Sequence, residues 1–589
     1  MNSIRLTMAQ ALVRFLDQQY FLSDGVEYKF IEGVMGIFGH GNVTGFGHAL
    51  EYEEHSLKFI RGNNEQGLVH AATAFAKQHD RQKIFAVTSS IGPGATNMIT
   101  GAASATINRI PVLLLVGDTF SSRAPDPALQ QLEHPLSHQI TVNDCFKPVS
   151  RYFDRIDRPE QLMSAMFKAM TVLTDPVLSG AVTICLPQDV QCELFDYPRS
   201  FFKKRVYILR RPLPEAWQLE EAVKILKRSE RPVIIAGGGL HYSKASKALQ
   251  NFAENTAIPV AETHAGKSAI LPDSSVFLGG VGVLGTQVAN QLVKEADLVI
   301  VIGSRLTDFT TCSNTFFRSA NLITINIDIN DATKLDPSLS INADALRTIE
   351  ALHSALLKEN FKTSKIYQEE VKNKQAAWIS IREQLFSEQE LEAFNQVQVL
   401  GCLNSFVNES AIIVAAAGSL PGDLQRLWHA GERKGYHLEY GYSCMGYEVA
   451  GGLGVKLAQP HRDVWVLVGD GSYLMMHSEI ITAIQEGLKI NIMLFDSGGF
   501  NCITSLQCTY GSKGYGTDLI VPIDYAGYAQ ALGLKTWAPT NWQELKEAML
   551  LAQQDSGCTL IHVKVAMGSQ SSGYDSFWQV AHQGSNNEL

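Results

Sequence analysis

The sequence has no CxxC pair, no long apolar run and no excess of positive charge. Its nine cysteines among 589 residues are odd in number and scattered. That spacing suits neither a disulfide framework nor a thiolate zinc site, and a reducing, cytoplasmic compartment is expected. No stretch approaches the roughly 20 apolar residues of a membrane-spanning helix. The opening segment carries Arg5, Arg14 and Asp17 where a signal peptide has an unbroken apolar core. Lys and Arg number 49 against 59 Asp and Glu, and the formal net charge of −10 argues against a nucleic-acid partner. The absence of a short-period repeat excludes a solenoid.

What is present is a globular composition, 45% hydrophobic and 18% charged, at a length that suits several domains. Apolar strand-like runs alternate with helical periodicity, which predicts α/β domains with doubly wound parallel sheets. Strands are expected at residues 34–38, 57–60, 84–87, 112–116 and 181–186, then at 233–236, 298–302 and 322–327. A third set falls at 412–416, 464–468, 490–495 and 560–565. The basic, proline-interrupted segment 204–214 and the polar helical segment 358–388 read as connectors. Beyond Gly568 the chain turns polar and reads as a tail that folds over a site.

Residues 464–500 read as strand, helix and strand, with Gly469-Asp470-Gly471 at the first turn. Leu474, Ile481, Ile484 and Leu488 mark one helical face. Asp470 and Ser497 then lie at carboxyl ends of parallel strands, the edge where open α/β sheets bind ligands. A carboxylate among glycines suits a hard cation, and exposed turn amides suit a phosphate, so a metal–diphosphate site is expected. Asp470 alone reads better as an N-cap or turn residue. The second strand end, Asp496-Ser497-Gly498-Gly499, favours the site.

The stretch from Gly469-Asp470-Gly471-Ser472 to Gly499 resembles the motif of the thiamine-diphosphate-dependent enzymes. SCMGYEVAGG at 443–452, NEQGLVHAA at 64–72, SIGPGATN at 90–97 and LPQDVQ at 186–191 resemble further segments of the acetohydroxyacid synthase group, in the same order. The resemblance implies a pyrimidine-binding domain at 1–200, a central Rossmann-like domain at 205–360, a diphosphate-binding domain at 389–575 and a tail at 576–589. It implies thiamine diphosphate and Mg2+ as cofactors. Glu65, Gly92, Met445, Gly469, Asp470, Gly471, Ser472, Ser497 and Gly499 would bind the cofactor, with Asp470, Ser497 and Gly499 holding the metal.

In this reading Glu65 bonds N1′ of the aminopyrimidine and favours the tautomer whose N4′ takes the proton from thiazolium C2. A glutamate in a first helical turn also has a plain electrostatic account. Met445 wedges beneath the cofactor. The family places the activating glutamate and the diphosphate-binding domain on different subunits, which implies a homodimer or homotetramer. Ser497 departs from the family, which has asparagine there; a hydroxyl is a shorter and weaker oxygen donor, which lowers the expected metal affinity.

IRLTMAQALVRFLDQQY, GIFGHGNVTGFGHAL and the ending GYDSFWQV resemble a branch that opens a cyclic 1,2-dione hydrolytically in myo-inositol catabolism. The cofactor motifs serve equally an acetolactate synthase-like carboligase acting on pyruvate, and Ser497 leaves open a cofactor-binding protein with impaired catalysis. His40, in the FGHGN loop, is the candidate for contact with substrate. His134 and His138 share helical spacing without a third ligand, so zinc is not expected. Residues 280–285 match GxGxxG and precede a helix, but neither a good strand before them nor an acid after them completes a dinucleotide fingerprint.

Overall fold

The computed structural model describes residues 3–571, apart from 133, 318, 319, 390–392, 510, 512 and 520. The sequence-predicted tail at 576–589 and the GYDSFWQV segment lie outside the described residues. Three six-stranded sheets dominate, and every strand pair within them is parallel. The α/β, doubly wound expectation therefore holds in all three.

The N-terminal sheet runs Lys58–Arg61, Ile31–Gly36, Ile84–Ser89, Val112–Asp118, Ala181–Pro187 and Tyr152–Arg155. The central sheet runs Phe277–Gly280, Val260–Glu262, Pro232–Ala236, Leu298–Ile302, Asn321–Asn326 and Leu339–Asn342. The C-terminal sheet runs Tyr436–Leu438, Ile412–Ala415, Val464–Gly469, Asn491–Asp496, Thr559–Lys564 and Lys535–Trp537. Inner strands such as Ala181–Pro187 are buried at every position because helices cover both faces.

The N- and C-terminal domains meet through helices Glu65–Gln78 and Tyr447–Ala458. Their backbones approach closely because the contact is built from small residues: a Cβ on Gly454 would lie 2.0 Å from the Ala71 carbonyl oxygen. Asn64 caps the first helix, its side chain accepting the Gly67 N–H at 3.1 Å. That cap fixes where Glu65 begins the helix.

Several elements depart from the sequence reading. Segment 204–214 contains a strand, Arg205–Ile208, which pairs in parallel with Gln19–Ser23. Phe277–Gly280 is a strand after all, at the edge of the central sheet and leading into the GxGxxG match. That glycine turn is filled by the protein itself: Asn290 accepts the Gly282 N–H at 2.9 Å, and a Cβ on Gly282 would strike the Phe309 carbonyl at 2.1 Å. The helix after Gly469 is two helices, Asp470–Met475 and Glu479–Gln485. Its expected face is only partly covered: Leu488 packs against the core, but Leu474 and Ile484 are 39% and 40% exposed, while Tyr473 and Ile480 are buried.

Candidate active site

Strand Val464–Gly469 ends at the turn that starts helix Asp470–Met475, and Asn491–Asp496 beside it ends at Ser497. Asp470 is 2% exposed, and its carboxylate accepts the Gly499 N–H at 2.8 Å. Burial pushes this carboxyl up to about 6, and the nearby Asp496 adds to the rise. Asp496 is held by His562 at 2.8 Å and by the Gly498 N–H at 3.1 Å. Ser497 Oγ donates to the Gly499 carbonyl at 3.2 Å, so two of the expected metal ligands already touch.

Gly499 has φ +143°, and a Cβ there would lie 2.2 Å from the Thr517 carbonyl. Only glycine fits this clasp, in which Phe500 N–H also bonds Thr517 and Leu519 N–H bonds Gly498. Gly418, at φ +85°, ends strand Ile412–Ala415 on the same edge, with open space where a side chain would stand.

These turns border a cavity of about 890 Å³, lined by Met445, Gly469, Asp470, Gly471, Ser472, Ser497 and Gly499 among others. Its size lies within the range of cofactor pockets. The site residues expected from the C-terminal third are thus brought together. A buried acid held near 6 beside a second carboxylate, with a hydroxyl, a carbonyl and turn amides, fits a divalent cation with a diphosphate.

The N-terminal candidates gather elsewhere. Glu65 and His40 line a separate cavity of about 730 Å³ with Ser90, Gly94 and Asn97, and the two cavities share no residue. Glu65 Oε2 accepts from Asn97 Nδ2 at 2.8 Å. His40 is exposed at its rim. Gly92 does not line the cavity; its φ of +60° shapes the adjoining turn, where a Cβ would strike the Gln130 carbonyl at 1.8 Å.

Sequence reasoning missed Glu448 and Glu479. Glu448 is fully buried and accepts from Ala417 N–H at 3.2 Å, Gly446 N–H at 3.0 Å and Ser472 Oγ at 2.8 Å. It ties together three segments around the larger cavity, including the one that presents Met445, and burial pushes its carboxyl up to about 7. The available signal was a lone charge in the otherwise apolar and small-residue run YEVAGGLGV. Gln570, from the last described residues, lines the cavity too and accepts from Asn501 Nδ2 at 3.0 Å.

Comparison with known proteins places this geometry in a family. The chain matches the N-terminal TPP binding domain of thiamine pyrophosphate enzymes at residues 7–140, the central domain at 219–352 and the C-terminal TPP binding domain at 416–563. It belongs to the thiamine pyrophosphate enzyme family. Among its relatives are proteins named 3D-(3,5/4)-trihydroxycyclohexane-1,2-dione hydrolase. One, from Clostridium botulinum (strain Alaska E43 / Type E3), is 47% identical over 98% of this chain and 96% of the relative. Those of Clostridium perfringens (strain ATCC 13124) and Bacillus cereus (strain AH820) are also 47% identical, over 99% and 98% of this chain and 96% of each relative.

Proposed function

We propose that this protein hydrolyses a carbon–carbon bond of 3D-(3,5/4)-trihydroxycyclohexane-1,2-dione, opening the ring to 5-deoxy-D-glucuronate in myo-inositol catabolism. The observation that carries this reading is the 47% identity to hydrolases of that name over nearly the whole chain. Water added across the bond between the two carbonyl carbons leaves one as a carboxylate and the other as an aldehyde.

Thiamine diphosphate, when bound, supplies carbanion stabilisation beside a carbonyl. Asp470, Ser497 and Gly499 would hold a Mg2+ ion, with the amides of Gly471 and Ser472 facing the diphosphate and Met445 beneath the rings. Glu448 fixes the helix start that carries Ser472 and the turn that carries Met445. Glu65 holds a proton at the aminopyrimidine nitrogen, and Asn97 keeps its carboxyl in place. His40, at the rim, contacts substrate.

The Glu65 and Asp470 cavities share no residue, which supports a site completed by a second copy, with the Glu65 cavity of one protomer facing the Asp470 cavity of its partner. Leu474, Met475 and Ile484, exposed on the helices after Asp470, offer apolar surface for that contact. The experiment is a direct assay of the dione against pyruvate, with the chain's mass measured in solution. Dione turnover dependent on thiamine diphosphate and Mg2+, in a dimer or tetramer, is expected. Acetolactate formation from pyruvate without dione turnover overturns the reading.

A further inference from the structure

The last strand of the chain ends at Lys564, and the residues after it return to the Asp470 cavity, where Gln570 joins the lining. Their path is fixed by hydrogen bonds. Val565 N–H donates to the Asp496 carbonyl at 2.9 Å and Ala566 N–H to the Phe394 carbonyl at 2.8 Å. Gly568 N–H donates to Asn501 Oδ1 at 2.8 Å, and Ser569 Oγ accepts the Gln396 N–H at 3.1 Å. Ser571 donates both its N–H and its Oγ to Asp423 Oδ1, at 3.0 and 2.6 Å.

Asp423 is fully buried, and its other oxygen accepts from Gln396 Nε2 at 2.7 Å. Gln396 in turn accepts from Ser419 Oγ at 2.9 Å, and both of these residues line the cavity. A carboxylate removed from water is costly unless donors surround it. Here the donors are the returning segment and the cavity wall, so Asp423 joins one to the other. Ser569 and Ser571 are buried on either side of Gln570, which holds the residue between them against the cavity.

The side chain of Gln570 is oriented from one end only. Asn501, 5% exposed, has its carbonyl oxygen taken by Gly568, so its nitrogen turns to Gln570 and donates to Oε1 at 3.0 Å. Gln570 therefore shows its oxygen to Asn501 and its nitrogen elsewhere. Among the described residues, Nε2 of Gln570 has no hydrogen-bond partner. The segment is anchored through its main chain and its serines, without those two N–H groups. They stand ready in a cavity whose diphosphate and metal end is already furnished by Asp470, Ser497 and turn amides.

We propose that the Asn501–Gln570 amide pair is the specificity element for the ring hydroxyls of the substrate, with Gln570 Nε2 donating to neighbouring hydroxyl oxygens. Asp423 is the positioning residue that keeps Gln570 in place. This rests on the ring-opening reading above. The dione named for the relatives carries hydroxyls on the consecutive ring carbons 3, 4 and 5. An uncharged amide suits an uncharged polyol. A site built to hydrogen-bond hydroxyls also rejects a molecule without them, because its buried polar groups are then left unpaired. Pyruvate has no hydroxyl to offer.

The test assays the enzyme, saturated with thiamine diphosphate and Mg2+, on the trihydroxy dione and on cyclohexane-1,2-dione, which has the same carbonyl pair and no hydroxyl. The parent should favour the hydroxylated ring in kcat/KM. Gln570→Leu and Gln570→Glu both lack the donors and should shrink that preference at least about tenfold, mainly through KM. Calorimetry should find thiamine diphosphate binding unchanged in both. Asp423→Asn should shrink the preference with Gln570 intact; if that variant does not fold, the Gln570 variants decide alone. A parent indifferent to the hydroxyls, an undiminished preference in both Gln570 variants, or cofactor binding weakened about tenfold in them overturns the assignment and leaves ring opening standing. A parent that turns over neither dione overturns the ring-opening reading and this assignment with it.

Discussion

Glu479 Oε1 accepts the backbone N–H groups of Asn63 and Asn64, at 3.2 and 2.8 Å. A carboxylate on the helix that follows Asp470 thereby holds the turn that presents Glu65, across the contact between two domains. Its other oxygen accepts from Thr482 at 2.6 Å, so every bond to this buried acid is made locally or to that turn.

Replacing Glu479 with alanine leaves those two amides without partners. The expected loss is about 1–3 kcal/mol of unfolding free energy, read by urea denaturation of the apoprotein. Glu479→Gln, which keeps an acceptor oxygen, should lose less.

Glu65→Gln should lower kcat by roughly 10²–10⁴-fold if the carboxyl group moves a proton. Calorimetry should find thiamine diphosphate binding little changed, because Asp470 and its turns are untouched. Near-parent turnover would remove Glu65 from the catalytic role.

Ser497 is the test of the metal shell. Ser497→Ala should raise the Mg2+ concentration needed for half-maximal activity by about 10–100-fold. Ser497→Asn should lower it below that of the parent, since an amide carbonyl is a better oxygen ligand. EDTA should abolish activity in all three, with Mg2+ restoring it.

His70 is fully buried, and burial lowers its pKa to about 3. The unfolded chain therefore binds a proton below about 6.5 that the folded chain refuses. Stability contributed by neutral His70 is complete above that pH and falls progressively as pH drops toward 3. The loss reaches about 2 kcal/mol at about pH 5. In His70→Asn, urea unfolding at the two pH values should differ by correspondingly less than in the parent.

Strands such as Val464–Gly469 and Leu298–Ile302 were legible because parallel strands covered on both faces become continuous apolar runs. The edge strands Tyr436–Leu438 and Lys535–Trp537 were not, being three residues long without a pattern. Asp470 and Ser497 could be placed from strand ends alone, whereas Gly499 as a ligand came from the family resemblance. The bond from Asn97 to Glu65 spans 32 positions, and no local rule connects them. Glu448 and Glu479 stayed hidden for another reason: a glutamate in a helical stretch reads as surface charge until the fold buries it among donors. The outward turn of Leu474 and Ile484 has the same root, since apolar spacing marks one face of a helix without fixing which way that face turns.

The strand Arg205–Ile208 has a consequence for how the molecule comes apart. Because it pairs with Gln19–Ser23, the tether to the central domain is woven into the first domain rather than strung loosely between them. Pulling the central domain away must first peel a strand from its neighbour. Loss of the amino-terminal lobe in turn sets the central domain adrift. Denaturation should therefore tend toward one concerted event for these two domains, and a fragment cut after Ile208 should lose the anchorage that the intact chain provides.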